Sequence, residues 1–144
     1  MSARLLFAVR GLVFSVLPMI FFVLKIATMR MAKPFDLGNN PVKQKTHYVF
    51  DVYTRALQNT LEQTIVHIVN ILALSTILTP EYFFFVPLCI FWFVCGRFAF
   101  IFGYLDPKIP GRRVYGFLTT SLPTAGGILY CVYQLIFNSS AIDA

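Results

Sequence analysis

The stretch from Tyr82 to Tyr104 reads YFFFVPLCIFWFVCGRFAFIFGY, an almost unbroken run of aliphatic and aromatic side chains with one charge, Arg97. About 20 helical residues cross the ~30 Å hydrocarbon core of a bilayer, so this stretch is long enough to span it as a helix. Apolar runs of this length are rare in soluble domains, where they have no interior large enough to cover them. The stretch therefore predicts an integral membrane protein.

The composition of the whole chain agrees with this prediction. Of its 144 residues, 58% are apolar and only 12% are charged, whereas soluble domains carry roughly a quarter charged residues. This excludes a soluble fold and a disordered chain. The net charge of +6 does not indicate nucleic-acid binding, because the Lys and Arg residues lie singly between apolar stretches.

The three cysteines lie inside apolar stretches. No CxxC motif and no histidine at ligand spacing accompanies Cys89, Cys95 or Cys131. The sequence therefore indicates neither a disulfide framework nor a metal site, and we interpret the three thiols as packing residues.

Three further stretches reach membrane length on either side of the first. The predicted spans are about 5–26, 52–78, 82–104 and 113–137. The second begins with polar residues, and its 27 residues would cover about 40 Å, so its first two turns can lie among lipid headgroups. We predict a single all-α domain over residues 1–144, built as a bundle of four transmembrane helices.

The distribution of cations between the spans predicts the orientation. Residues 25–49 contain five Lys or Arg residues, residues 79–81 none and residues 105–113 three. By the positive-inside rule, the first and third connections face the cytosol and both termini face the lumen. Arg4 and Arg10 argue weakly for the opposite orientation.

Polar residues inside the second span form one stripe. Arg55, Asn59 and Glu62 stand at i, i+4 and i+7, within about 60° of one helix face. A charge near a helix centre costs roughly 2.5–3.5 kcal/mol on membrane insertion scales. The stripe is therefore expected to face protein or a water-filled cleft rather than lipid.

The third span carries a matching stripe of Arg97, Phe100 and Tyr104. Because the two spans run in opposite directions, Glu62 and Arg97 each lie about 10.5 Å below the polar entrance of their own span, and we expect an ion pair between them. Arg113 opens the fourth span at the same membrane face. Such a cluster suits an anionic, polar ligand, because guanidinium groups bind carboxylates in bidentate fashion.

These residues resemble the MAPEG family, the membrane-associated proteins in eicosanoid and glutathione metabolism. The resemblance consists of the pattern RAxxNxxE from Arg55 to Glu62, the pair Arg97 and Tyr104, and an arginine opening the fourth span. It extends over nearly the whole chain. It implies a homotrimeric four-helix membrane protein, in the endoplasmic reticulum or another endomembrane, that binds glutathione between subunits near the cytosolic face.

The resemblance also implies roles for particular residues. Five positions match glutathione-contacting positions of the family: Arg55, Asn59, Glu62, Arg97 and Tyr104. Arg113, nine residues after Tyr104, matches the arginine that stabilises the glutathione thiolate in the prostaglandin-forming branch. The implied activity is that of a glutathione transferase or peroxidase acting on a lipophilic small molecule that arrives from the surrounding lipid.

Two positions depart from the catalytic members. Phe100 stands where they usually have Tyr or His, and Gln63 replaces a common tyrosine. Segments around Glu62 and Gln63, residues 70–76 and residues 111–123 look more like the divergent mattrin-like branch, transmembrane protein 79. Two hypotheses therefore stay open: a glutathione-dependent enzyme, and a non-catalytic membrane protein that binds glutathione or lipid or regulates a partner.

Overall fold

Helices make up nearly all of the computed structural model, which describes residues 2–32, 48–105 and 111–138, with no side-chain description for Ser2, Arg112 and Arg113. The α-helices are α1 (Ser2–Ser15), α2 (Leu17–Ala32), α3 (Tyr48–Ile77), α4 (Phe85–Leu105) and α5 (Arg112–Phe137). No strand occurs in these ranges.

A short interruption at Val16 separates α1 from α2, although both belong to the first predicted span. Pro18 has no backbone N–H, so the helical hydrogen bond that it would donate to Phe14 is missing. Helical bonding resumes where the Ile20 amide donates to the carbonyl of Val16 at 3.0 Å. The two segments therefore act as one membrane-length helix with a local irregularity at the proline.

Three helical segments are long and apolar enough to cross a membrane: Ala3–Ala32, Tyr48–Ile77 and Pro80–Leu105. The fourth, α5, has 26 residues and a length of about 39 Å, but it is less apolar. Its Thr120 and Thr124 hydroxyls donate to backbone carbonyls one turn earlier, which satisfies them inside the helix. The predicted fold class is confirmed: the protein is an all-α membrane protein with four membrane-length helices.

The helix boundaries differ from the predicted spans. The first predicted span, 5–26, is shorter than the helices that form it, since α1 begins at Ser2 and α2 ends at Ala32. Helix α3 begins at Tyr48, one turn before the predicted start at residue 52, so its first turn includes the charged Asp51. Helix α4 begins at Phe85 rather than at residue 82, because Pro80–Tyr82 forms a separate 3₁₀ turn. Thr79 is extended before that turn, as residues preceding proline usually are.

The bundle has two different ends. At one end, α2 and α4 stop and α3 and α5 begin; we call it the two-loop end, after the two connections between these helices. A small core of Phe22, Ala56 and Ile101 lies near this end. At the other end, which we call the turn end, α3 stops and α4 begins on either side of the 3₁₀ turn. A larger apolar core that includes Leu74 and Val86 lies near this end.

Helices α4 and α5 make the most extensive contact in the bundle. Gly116 permits it, because a Cβ atom at this position would overlap the backbone of Phe100. A contact at the turn end joins the start of α1 to the end of α3, where Arg4 Nη1 donates to the carbonyl of Leu78. A cation beside the last carbonyls of a helix interacts favourably with the helix dipole.

Candidate functional site

A cavity of about 360 Å³ lies at the two-loop end between α3, α4 and α5. We call it the polar cavity, and it is lined by Arg55, Asn59, Phe100, Tyr104, Val114 and Phe117. A second space of about 450 Å³, the outer cavity, shares Arg55 and Tyr104 with it and extends along the first turns of α3. Three of the residues predicted for the site therefore line one space.

Arg55 is the cation that both cavities share. Its side chain is exposed on the subunit surface, although it lies within a membrane-length helix. Asn59, one turn further along α3, is half-buried and lies between the polar cavity and the interior of the bundle. The two residues together present a guanidinium and a carboxamide to a ligand at this end.

Arg97 lies behind this cavity and is fully buried, with 0% of its surface exposed. Its Nη1 and Nη2 atoms donate to Asn59 Oδ1 at 3.3 and 3.1 Å. The aromatic ring of Phe100 covers the guanidinium, with 4.2 Å from the Arg97 Cζ atom to the ring centroid. Arg97 therefore contacts the wall of the cavity rather than its interior.

The prediction of an ion pair between Glu62 and Arg97 is wrong within the subunit. Glu62 lies on the exposed face of α3, and its Oε1 atom accepts a hydrogen bond from Gln58 Nε2 at 3.2 Å. The rotation of α3 about its axis directs Asn59 at Arg97 of α4 and leaves Glu62 on the exposed side. Sequence spacing fixes depth along a helix and leaves this rotation open.

The two aromatic residues of the α4 stripe lie side by side. The rings of Phe100 and Tyr104 are 5.3 Å apart with an interplanar angle of 36°. Phe100 is buried, and Tyr104 is half-buried and borders both cavities. The phenol is therefore the polar group that α4 presents at this site.

Arg113 belongs to the first turn of α5, close in sequence to Val114, which lines the polar cavity. The backbone thus begins at the end of the bundle where the sequence predicts it. The side chain of Arg113 lies outside the described part of the structure.

Gln63, the other departure from the catalytic members, joins two helices. Its Oε1 atom accepts a hydrogen bond from the hydroxyl of Ser121 at 3.3 Å, which links α3 to α5. The side chain is half-buried. In this subunit the side-chain amide of Gln63 therefore serves a contact between two helices.

An apolar cavity of about 440 Å³ lies at the turn end, and sequence reasoning did not predict it. It is lined by Leu74, Leu78, Tyr82, Phe85, Cys89, Pro123, Gly127 and Tyr130. Val114 and Phe117 of the polar cavity were also missed. These lining residues are of the same types as lipid-facing ones, so no sequence pattern distinguishes them.

Comparison with known proteins is consistent with this architecture. The model of the MAPEG family matches residues 6–133, which include all but the outermost residues of α1 and α5. No curated protein and no solved structure matches the chain.

Proposed function

The chain belongs to the MAPEG family, and from this premise we propose that it binds glutathione at the polar cavity. Members of the family act in glutathione and eicosanoid metabolism. The observation that carries the proposal is the convergence of Arg55, Asn59 and Tyr104 on one cavity in a membrane bundle. These groups suit the carboxylates and peptide carbonyls of a small anionic peptide. Together with the outer cavity, the space is in the usual range of ligand sites.

We propose further that the site is completed by other copies of the chain in a homotrimer. Arg55 and Glu62 are exposed on the surface of a single subunit, within a segment apolar enough to cross a membrane. Exposure of such charges to lipid is costly, so a protein surface or a water-filled cleft must cover them. A neighbouring subunit provides such a cover and encloses the ligand between subunits.

The proposed activity is that of a glutathione transferase or peroxidase. In this proposal a lipophilic electrophile reaches the cleft from the bilayer, and the guanidinium of Arg113 favours the thiolate form of glutathione, which is the nucleophile. Glu62 contacts glutathione from the exposed face of α3, and Arg97 acts at the wall of the site. No cysteine of the protein takes part.

A second candidate function is that of a non-catalytic binding protein, as in the mattrin-like branch. The observation that favours it is the state of the two divergent positions. Phe100 covers Arg97 with a ring that has no polar group, and Gln63 bonds to Ser121. Phe100 therefore lacks the polar group of the Tyr or His that is usual in catalytic members, and Gln63 lacks the phenol of the common tyrosine. In this alternative the cavity holds glutathione or a lipid without turnover.

The orientation that we propose places the polar cavity at the cytosolic face of an endomembrane and both termini in the lumen. It rests on the cations in residues 25–49 and 105–113, which connect helices at the two-loop end. A cysteine introduced at Asn39 should react with an impermeant thiol reagent from the cytosolic side. Labelling from the lumenal side alone would reverse the orientation.

The proposed function is tested by titrating glutathione into the detergent-purified protein, together with thiol-conjugation and peroxidase assays. We expect saturable binding that Arg55→Ala weakens roughly tenfold to a hundredfold, because a charge-assisted hydrogen bond is lost. Arg10→Ala removes an exposed cation elsewhere and should leave binding unchanged. Failure of the wild-type protein to bind glutathione would overturn the proposal. Binding without turnover of several electrophiles would favour the non-catalytic alternative.

A further inference from the structure

The arrangement behind the polar cavity assigns a role to Arg97 that goes beyond membership of the site. We propose that Arg97 is a positioning residue that fixes the side-chain amide of Asn59, so that Asn59 offers only N–H donors to the ligand. The ligand group at Asn59 must then be a hydrogen-bond acceptor, such as a carboxylate or a carbonyl oxygen. This inference rests on the proposed function, because it names the chemistry of the group bound at that site.

The first step concerns the orientation of the amide. Asn59 Oδ1 accepts from both terminal nitrogens of Arg97, at 3.3 and 3.1 Å. A guanidinium has N–H donors and no acceptor, so the oxygen of the amide must face it and the nitrogen must face away. The usual ambiguity between the oxygen and nitrogen of an Asn side chain is therefore resolved by its partner.

The second step concerns what the ligand can reach. The Phe100 ring lies against the Arg97 guanidinium and also lines the polar cavity, while Arg97 itself is 0% exposed. The ring thus separates the buried charge from the cavity. Arg97 therefore acts on a ligand through Asn59, because Phe100 prevents direct contact between the Arg97 guanidinium and the ligand.

The third step concerns the polarity of the cavity. Arg55 contributes only donors, and the Asn59 Nδ2 atom contributes donors beside it. An ammonium group placed there would face the N–H donors of Arg55 and Asn59, whereas a carboxylate or carbonyl oxygen would accept hydrogen bonds from them. The end of the cavity between Arg55 and Asn59 is therefore selective for acceptors.

This assignment makes Asn59→Asp a diagnostic change. The carboxylate is close in size to the amide, and one of its oxygens can still accept from Arg97, whose charge pairs with no carboxylate in the described parts of the chain. The other oxygen replaces the Nδ2 donor with an acceptor facing the ligand. Asn59→Asp should therefore keep the thermal unfolding temperature at or above that of the wild type and weaken glutathione binding roughly tenfold or more. A purely structural role for the pair predicts unchanged binding.

Two further variants complete the experiment, which measures glutathione titration and thermal unfolding in detergent. Asn59→Leu removes the acceptor and should lower the unfolding temperature. Gln63→Glu adds the same charge to α3 and can keep the bond from Ser121, so it should leave glutathione binding near the wild-type value. Stability of Asn59→Asp combined with weak binding supports the inference.

Several results would overturn it. Wild-type binding by Asn59→Asp would show that Asn59 does not act as a donor to the ligand. Equal weakening by Gln63→Glu would show that added charge alone accounts for the loss. Destabilisation of Asn59→Asp as large as that of Asn59→Leu would show that Arg97 does not hold this side chain. Absence of glutathione binding by the wild type overturns the proposed function instead, and the unfolding temperatures then decide the positioning role by themselves.

Discussion

The polar cavity and the apolar cavity are both lined by residues of α3, α4 and α5, yet their linings differ in polarity and charge. At the two-loop end, α3 contributes Arg55 and Asn59. About five turns beyond Arg55, the same helix contributes Leu74 to the apolar cavity, and Leu78, directly after the helix, also lines it. We call the two-loop end the recognition end and the turn end the packing end. The polar and apolar residues along α3 follow this division.

This difference shows where polar groups can be placed in a membrane bundle. At the two-loop end, the polar side chains bond to one another or border a cavity. At the turn end, the apolar cavity has Tyr130 as one of its few polar groups, and the Tyr130 hydroxyl already accepts from Gln134 at 2.9 Å. Among the described residues that line the two cavities, the one charged side chain, Arg55, therefore lies at the two-loop end.

The largest expected effect concerns catalysis at the recognition end. Arg113→Ala should lower glutathione-dependent turnover roughly 10²–10³-fold, because a group aimed at the developing anion acts mainly in the transition state. Glutathione binding should change little. Steady-state kinetics combined with a binding titration measures both quantities.

The matched control for that change is Arg112→Ala. The two arginines differ by about 100° around the helix axis, so only one of them can face the cavity. Turnover that survives Arg113→Ala, or that falls only with Arg112→Ala, would contradict the assignment of Arg113.

A smaller effect is expected from the contact that brings α4 against α5 beside the polar cavity. Gly116→Ala should lower the free energy of unfolding by about 3 kcal/mol, because the new methyl group would overlap the backbone of Phe100. It should also weaken glutathione binding, since Phe100 lines the cavity. Chemical denaturation in detergent measures the first quantity.

Gly126→Ala provides the comparison on the same helix. A Cβ atom there has no neighbour within 4 Å, and alanine favours the helix over glycine by roughly 0.5–1 kcal/mol. Unfolding free energy and glutathione binding should therefore be unchanged or improved. Equal destabilisation by the two substitutions would show that Gly116 has no special role.

The smallest effect is expected at the packing end. Cys89→Ser places a hydroxyl in the apolar cavity and should cost about 1 kcal/mol of stability, with no change in glutathione affinity. Thermal unfolding and the binding titration measure the two effects. A weakened affinity would show that the two ends are coupled, and the contrast between them would no longer hold.

Much of the fold follows from the sequence because long apolar runs in a membrane have one solution, the helix. A helix lies at each of the four predicted stretches, and the break beside Pro18 and the turn at Thr79–Pro80 both have local causes. The ends of the helices are less predictable. Asp51 interrupts the apolar pattern in the first turn of α3, so the start of the helix at Tyr48 does not follow from hydropathy.

The sequence predicted where the site residues stand along their helices, but not which of their side chains contact each other. Arg55 and Asn59 line one cavity because residues four positions apart lie on the same face of a helix, and Tyr104 of α4 borders the same space. The partner of Arg97 depends on the rotation of α3 against α4, which the packing of many apolar side chains decides. That rotation made Asn59 the partner. Phe100, one turn further along α4, covers the Arg97 guanidinium.

The bond from Arg4 to the carbonyl of Leu78 has a consequence for the order in which the protein is made. The two residues are 74 positions apart in the chain. At about 5–20 residues/s, synthesis separates them by about 4–15 s, so the first helix enters the membrane well before its acceptor exists. The guanidinium must wait in water or among lipid headgroups during that interval. Closure of this bond therefore marks the arrival of the second span, and it joins the first segment inserted to the end of α3.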